Sequence, residues 1–115
     1  AKNIMRMTTA LISLKDGPKV AVKEMESNGI SSVFVVSEDR KLEGIVTIDE
    51  AIDAIRNNRK LRDIIKQDYF TACPEDYIQD LILKAVNTKY PIAVVDKSNK
   101  LMGIIVRSSV LSGLI

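Results

Sequence analysis

Thr47 and Glu50 stand three residues apart in "GIVTIDE" (residues 44–50), a hydroxyl and a carboxylate directly after a β-branched run. A Thr hydroxyl both donates and accepts, and an ionised carboxylate accepts through two oxygens. The pair suits two chemistries. It can donate to and accept from a polar ligand, with Glu50 as the stronger acceptor. It can also close a helix N-terminus as a capping box, with Thr47 accepting from a backbone N–H and Glu50 reaching back. The frame returns as "GIIVRSS" (103–109), where Val106 replaces the hydroxyl and Ser109 the carboxylate. Those two do not repeat the hydroxyl–carboxylate pair. Arg107 is the new polar group of this copy. Its guanidinium can bind a phosphate bidentately, or pair with a nearby carboxylate at the surface. Tyr90-Pro91 precedes the apolar run "IAVV". Tyr90 is either an aromatic face open to a ligand or a half-buried core aromatic with a wet hydroxyl.

Repetition fixes the elements that must carry these residues. Gly44 and Gly103 lie 59 residues apart, and that offset superposes "FVVSEDRKLEGIV" on "AVVDKSNKLMGII". Two β-branched runs around a polar turn predict a β-hairpin in each half. Leu42 and Leu101 lead into the second strand, and the glycines inside it permit a close backbone approach. A helix is expected before each hairpin. Pro18 opens the first, Ala21, Val22 and Met25 face inward, and Gly29 closes it in a left-handed conformation. Pro74, with Glu75 and Asp76 behind it, opens the second, whose stripe is Ile78, Leu81, Ile82, Ala85 and Val86. A helix also follows each hairpin, with Ala51, Ile52 and Ile55 inward in one and Val110, Leu111 and Leu114 in the other. Short strands are expected at Leu11–Leu14 and near Tyr69–Ala72. "NNRKLRDII" joins the halves and buries Leu61, Ile64 and Ile65. The expected fold is α+β, two pseudo-two-fold related β-α-β-β-α repeats in one compact module, with boundaries at residues 1–62 and 63–115. Neither half is large enough to bury a full core alone, so the halves should share one around a cleft.

Composition narrows the function. The 115 residues suit one domain or two half-domains, and 46% hydrophobic residues suffice for a packed core. There is no His, the commonest catalytic base and metal ligand, and the lone Cys73 has no internal partner for a disulfide. A reducing compartment is the default expectation. A net charge of +2 does not predict nucleic-acid binding. No apolar run approaches the roughly 20 residues of a membrane span. Phosphate-loop, metal and nucleophile–base patterns are missing, so enzyme chemistry is not expected. Arg56, Arg59, Lys60 and Arg62 cluster, either as a solvated helix end or as an anion-contacting patch. The abrupt end at "LSGLI" and the lack of an initiating Met read as a piece of a longer protein.

The repeated β-α-β-β-α unit with "GIVTIDE" at its last strand–helix junction resembles a cystathionine-β-synthase (CBS) domain pair over nearly the whole chain. The family frame is Gly, two hydrophobics, Thr or Ser, then Asp three positions on; it falls here on Gly44, Ile45, Val46, Thr47 and Glu50. "GPKVAVKEM", "NGISSVFVV" and "KYPIAVVD" are similar to the C-terminal CBS pair of ATP-binding subunits of glycine betaine/carnitine/choline-type ABC transporters. The resemblance implies a regulatory module with no catalysis of its own. It implies an adenine nucleotide ligand (cyclic di-AMP, AMP or ATP), held at Thr47, Glu50, Tyr90, Pro91, Val106 and Arg107, and no other cofactor. Cyclic di-AMP is favoured, at the centre of a homodimer near Tyr90 and Arg107, with Leu111, Leu114 and Ile115 as a dimer face. The implied partners are an ATPase domain and membrane subunits, the implied location the cytoplasmic face of the cell membrane. An ionic-strength sensor working through the Arg56–Arg62 cluster and a purely structural dimerisation domain stand as alternatives.

Overall fold

The computed structural model describes residues 11–112, leaving aside the side chains of Ser109, Leu111 and Ser112. The order is β1 (Leu11–Ile12), α1 (Pro18–Asn28), β2 (Ser32–Val36), β3 (Leu42–Thr47), α2 (Ile48–Arg56), a 3₁₀ turn (Leu61–Asp63), β4 (Thr71–Ala72), α3 (Ile78–Asn87), β5 (Ile92–Val95), β6 (Leu101–Ile105) and α4 (Arg107–Ser112). Each half therefore reads β-α-β-β-α. The described chain falls into two compact units that divide between Gln67 and Asp68. Residues 63–67, placed by sequence with the second repeat, pack with the first unit. The reason is a two-residue bridge, in which Ile45 N–H donates to Lys66 O at 2.9 Å and Lys66 N–H donates to Ile45 O at 2.8 Å.

The first unit holds a three-stranded sheet in the order β1-β2-β3. β1 runs parallel to β2, and β2 pairs antiparallel with β3 through Val33↔Val46 and Val35↔Gly44. Ala21, Met25, Val33, Val35, Val46, Ala51, Ala54, Leu61 and Ile64 form its core. Gly29 ends α1 at φ 63°, and Ile30 N–H donates to Met25 O at 3.0 Å, the left-handed stop that Asn-Gly announces. A Cβ at Gly44 would meet Lys66 O at 3.0 Å and the Ile65 Cβ at 3.1 Å, so the glycine admits the crossing segment.

The second unit repeats the sheet as β4-β5-β6, with Ile92↔Ile105 and Val94↔Gly103 in register. Ala72, Leu81, Ala85, Ile92, Val94, Ile105 and Val110 form its core. Both hairpins carry a register shift and a left-handed residue, Arg40 in one and Asn99 in the other, each at φ 64°.

Some expectations change. α3 starts at Ile78 instead of Pro74, because the Asp76 carboxylate accepts the Cys73 N–H at 3.0 Å and the residues between close a turn. Its buried stripe narrows to Leu81 and Ala85 with Ile82 partly covered, while Ile78 and Val86 are exposed. In α2 the inner face is Ala51 and Ala54; Ile52 and Ile55 are each 36% exposed. The edge strands shorten to two residues each. Leu114 and Ile115 of the expected dimer face, and the side chain of Leu111, lie outside the described residues.

Candidate functional site

At the end of the second unit's sheet, β5 begins where β6 stops. The pairing Ile92↔Ile105 sets Pro91 and Val106 beside each other just beyond the last ladder pair. The segments on either side, 88–91 and 106–108, line one open cavity of about 450 Å³. Four of the six residues singled out by sequence meet here: Tyr90, Pro91, Val106 and Arg107. Tyr90 and Pro91 are half-buried, as is Val106, while Arg107 is exposed at the start of α4. The wall is thus apolar and aromatic with one cation at its rim.

Thr88 holds this corner in place. Its hydroxyl donates to Tyr90 O at 2.6 Å and accepts Tyr90 N–H at 3.2 Å. It is a buried polar residue, so both bonds form away from competing water. They fix the backbone of Tyr90 directly before Pro91 restricts it further. Sequence reasoning passed over Thr88, Lys89 and Ser108. A Thr two positions before a Tyr-Pro pair is the local signal that would have found the first.

The corresponding junction of the first unit is different. Thr47 is the N-cap of α2, yet it makes no side-chain cap. Its hydroxyl instead donates to Glu50 Oε1 at 3.1 Å. The same oxygen receives Lys66 Nζ at 2.9 Å. The expected capping box is therefore not formed: an ammonium from the bridge segment draws the Glu50 carboxylate toward itself, and the hydroxyl follows. Ser32 pairs with Thr47 across β2 and β3, which keeps the neighbourhood small and polar. Thr47 and Glu50 belong to this unit and the other four candidates to the second.

Among the described residues there is no group of three or more Cys, Asp or Glu arranged to hold a metal, and no helix long and apolar enough to cross a membrane.

The family model for the CBS domain matches residues 1–57 and 61–115. The glycine betaine/carnitine transport ATP-binding protein GbuA of Listeria monocytogenes is 37% identical over 115 residues, covering 99% of this chain and 29% of that protein. The glycine betaine transport ATP-binding protein OpuAA of Bacillus subtilis is 30% identical over 103 residues, covering 90% of this chain and 25% of that protein. The chain thus spans less than a third of the length of these relatives. Among solved structures, Staphylococcus aureus OpuCA superposes with a TM-score of 0.87 at 25% identity, covering 97% of this chain and 96% of that one. CbpB in complex with c-di-AMP superposes with a TM-score of 0.82 at 16% identity over 97% of this chain and 81% of that one, a likeness of fold.

Proposed function

The chain belongs to the CBS-domain family as two consecutive copies, and from that premise we propose that it is the regulatory, ligand-sensing part of the ATP-binding subunit of a glycine betaine-type ABC transporter. The ligand is an adenine nucleotide, cyclic di-AMP in first place, bound at the second repeat. The observation that carries this is the convergence of Tyr90, Pro91, Val106 and Arg107 on one cavity. Its volume lies within the roughly 300–1,000 Å³ of small-molecule pockets.

Each group has a role in this reading. The Tyr90 ring stacks on adenine, a contact worth about 1–3 kcal/mol per base. Pro91 and Val106 supply the apolar wall. Arg107 takes a phosphate oxygen pair in its planar fork. With no hydroxyl at Val106, recognition runs through base and phosphate, which favours a dinucleotide diphosphate over a mononucleotide held by its ribose. Thr47 and Glu50 form the lesser site, because Glu50 Oε1 is already committed to Lys66 and Thr47. A two-fold symmetric dinucleotide matches a two-fold homodimer, each protomer offering the same contacts once. Leu83 and Val86 of α3 are 71% and 55% exposed on one helix face and suit such an association. CbpB, similar in fold, is described with c-di-AMP bound, which supports the choice of ligand. The partners are an ATPase domain and the transporter's membrane subunits, at the cytoplasmic face of the membrane. The module responds to its ligand by altering uptake of the osmoprotectant and performs no catalysis itself.

Calorimetric titration of the chain with cyclic di-AMP, AMP and ATP, alongside sedimentation of the free and liganded forms, tests this. The expected result is heat with cyclic di-AMP at one dinucleotide per dimer. Silence with all three nucleotides would sink the nucleotide reading and leave a dimerisation domain.

A further inference from the structure

The first unit carries a second cavity, of about 300 Å³, at the end of its sheet away from Thr47. The topology sets this distance. β1 runs parallel to β2 with Leu11↔Phe34, so the loop after Ile12 leaves the sheet at the Val36 end. Thr47 pairs with Ser32 at the other end. The cavity is lined by the loop that leads into α1 and by the segment after α2.

Four of its lining residues are cations: Lys15, Arg59, Lys60 and Arg62. They face a single carboxylate, Asp16, which is already occupied in accepting the Ser13 N–H at 2.8 Å. The grouping is not the one visible in the sequence. Arg56 drops out, and Lys15 joins from the loop between β1 and α1. The four cations are exposed, yet they border one concavity, where a single anion meets several of them at once.

The second repeat differs here. The 59-residue offset superposes Leu14–Asp16 on Cys73–Glu75, and a cavity of about 430 Å³ touches that loop. Its other wall is the β5–β6 turn and not a segment after a helix, and its charged lining is Glu75, Asp96 and Lys97. The cationic wall at residues 59–62 is thus particular to the first unit's cavity.

We propose that the cavity bordered by Lys15, Arg59, Lys60 and Arg62 binds a phosphate group, separately from the nucleotide pocket of the second repeat. Phosphate fits better than a carboxylate, because two guanidinium forks can share its oxygens and the lysines neutralise a second negative charge. Existing contacts leave room for it. Arg59 donates to Asp63 O at 3.3 Å through one terminal nitrogen, keeping its other N–H groups. Lys15 meets Glu38 in a pair exposed on both sides, which is weak and exchangeable. Arg62 has no ion pair among the described residues. A free phosphate and a lipid headgroup present the same oxygens, and the vesicle arm of the test separates the two sources.

The 115-residue chain, titrated with inorganic pyrophosphate at low ionic strength and followed by backbone amide NMR, tests the proposal. Shifts should concentrate at residues 14–18 and 59–62, and added salt should weaken them. The double variant Arg59→Gln/Arg62→Gln should bind at least about tenfold more weakly, as the loss of charge-assisted hydrogen bonds requires. An unchanged thermal midpoint in that variant shows that the fold is intact. Vesicles of phosphatidylglycerol, compared with phosphatidylcholine, identify the source: co-sedimentation with the anionic vesicles alone, lost in the double variant, means a headgroup, and pyrophosphate binding without it means a free phosphate. Binding of neither probe up to millimolar concentration overturns the proposal. So do shifts confined to residues 88–91 and 106–108, or equal affinity in the double variant. Cyclic di-AMP enters none of these measurements, so failure of the nucleotide reading is a separate result.

Discussion

The two strand–helix junctions use one scaffold for opposite ends. In the first, Thr47, Glu50 and Lys66 satisfy one another, and the junction is electrostatically closed. In the second, the equivalents of Thr47 and Glu50 are Val106 and Ser109, and the polar capacity has moved to Arg107 at the rim of an open cavity. The difference lies in where the hydrogen-bonding groups find partners. A junction that answers its own donors and acceptors gains local order and gives up affinity. One that leaves a guanidinium and a ring beside a hollow has them available, which is what the proposed ligand requires. Repeats of one fold can thus differ in whether their polar groups are spent on the structure or left at its surface.

Three substitutions would break or sharpen this contrast. The largest effect is expected from Arg107→Ala. Removing the charged donor should weaken cyclic di-AMP binding by about 1.5–3 kcal/mol, roughly 10- to 100-fold in Kd, with little change in the thermal midpoint. Equal binding by calorimetry would mean that the second junction senses nothing through this residue. Next is Gly44→Ala, which presses a methyl onto the Lys66 carbonyl and the Ile65 side chain. Overpacking there should cost about 1–3 kcal/mol in denaturant unfolding, because the contact is backbone and gives little. No loss of stability would show that the bridge segment is not held where it lies. The smallest effect belongs to Lys66→Met. The pair with Glu50 is partly exposed, so a double-mutant cycle with Glu50→Gln should return a coupling of about 0.2–1 kcal/mol. A coupling of zero would make the first junction as open as the second.

Much of this was legible in the chain because it is local. The hairpins follow from β-branched runs around polar turns, the end of α1 from Asn28-Gly29, and the repeat from its glycine frame. Tyr90, Pro91, Val106 and Arg107 line one cavity because they flank paired strand ends, whereas their choice as ligand residues came from the family resemblance. What escaped has a common cause. Pro74, Glu75 and Asp76 carry every helix-start signal, but Asp76 spends its carboxylate on the Cys73 N–H and delays the helix. The Thr47–Glu50 spacing reads as a capping box until Lys66 arrives from a bridge that no local pattern announces. Helical periodicity found α2 but not its phase, since Ala51 and Ala54 pack inward only once the neighbouring α1 is placed. The cationic cavity joins Lys15 to residues that follow α2, a proximity made by the sheet.

The Ile45–Lys66 bridge also has a mechanical meaning. Lys66 contributes its N–H, its carbonyl and its ammonium to the first unit, at a point where the chain is about to leave it. Tension on the following segment cannot release these one by one without straining the others. Peeling the residue away would strip two backbone hydrogen bonds and uncover the Glu50 charge in a single event. One residue thus ties the departing chain both to the β3 backbone and to the charge beside Thr47.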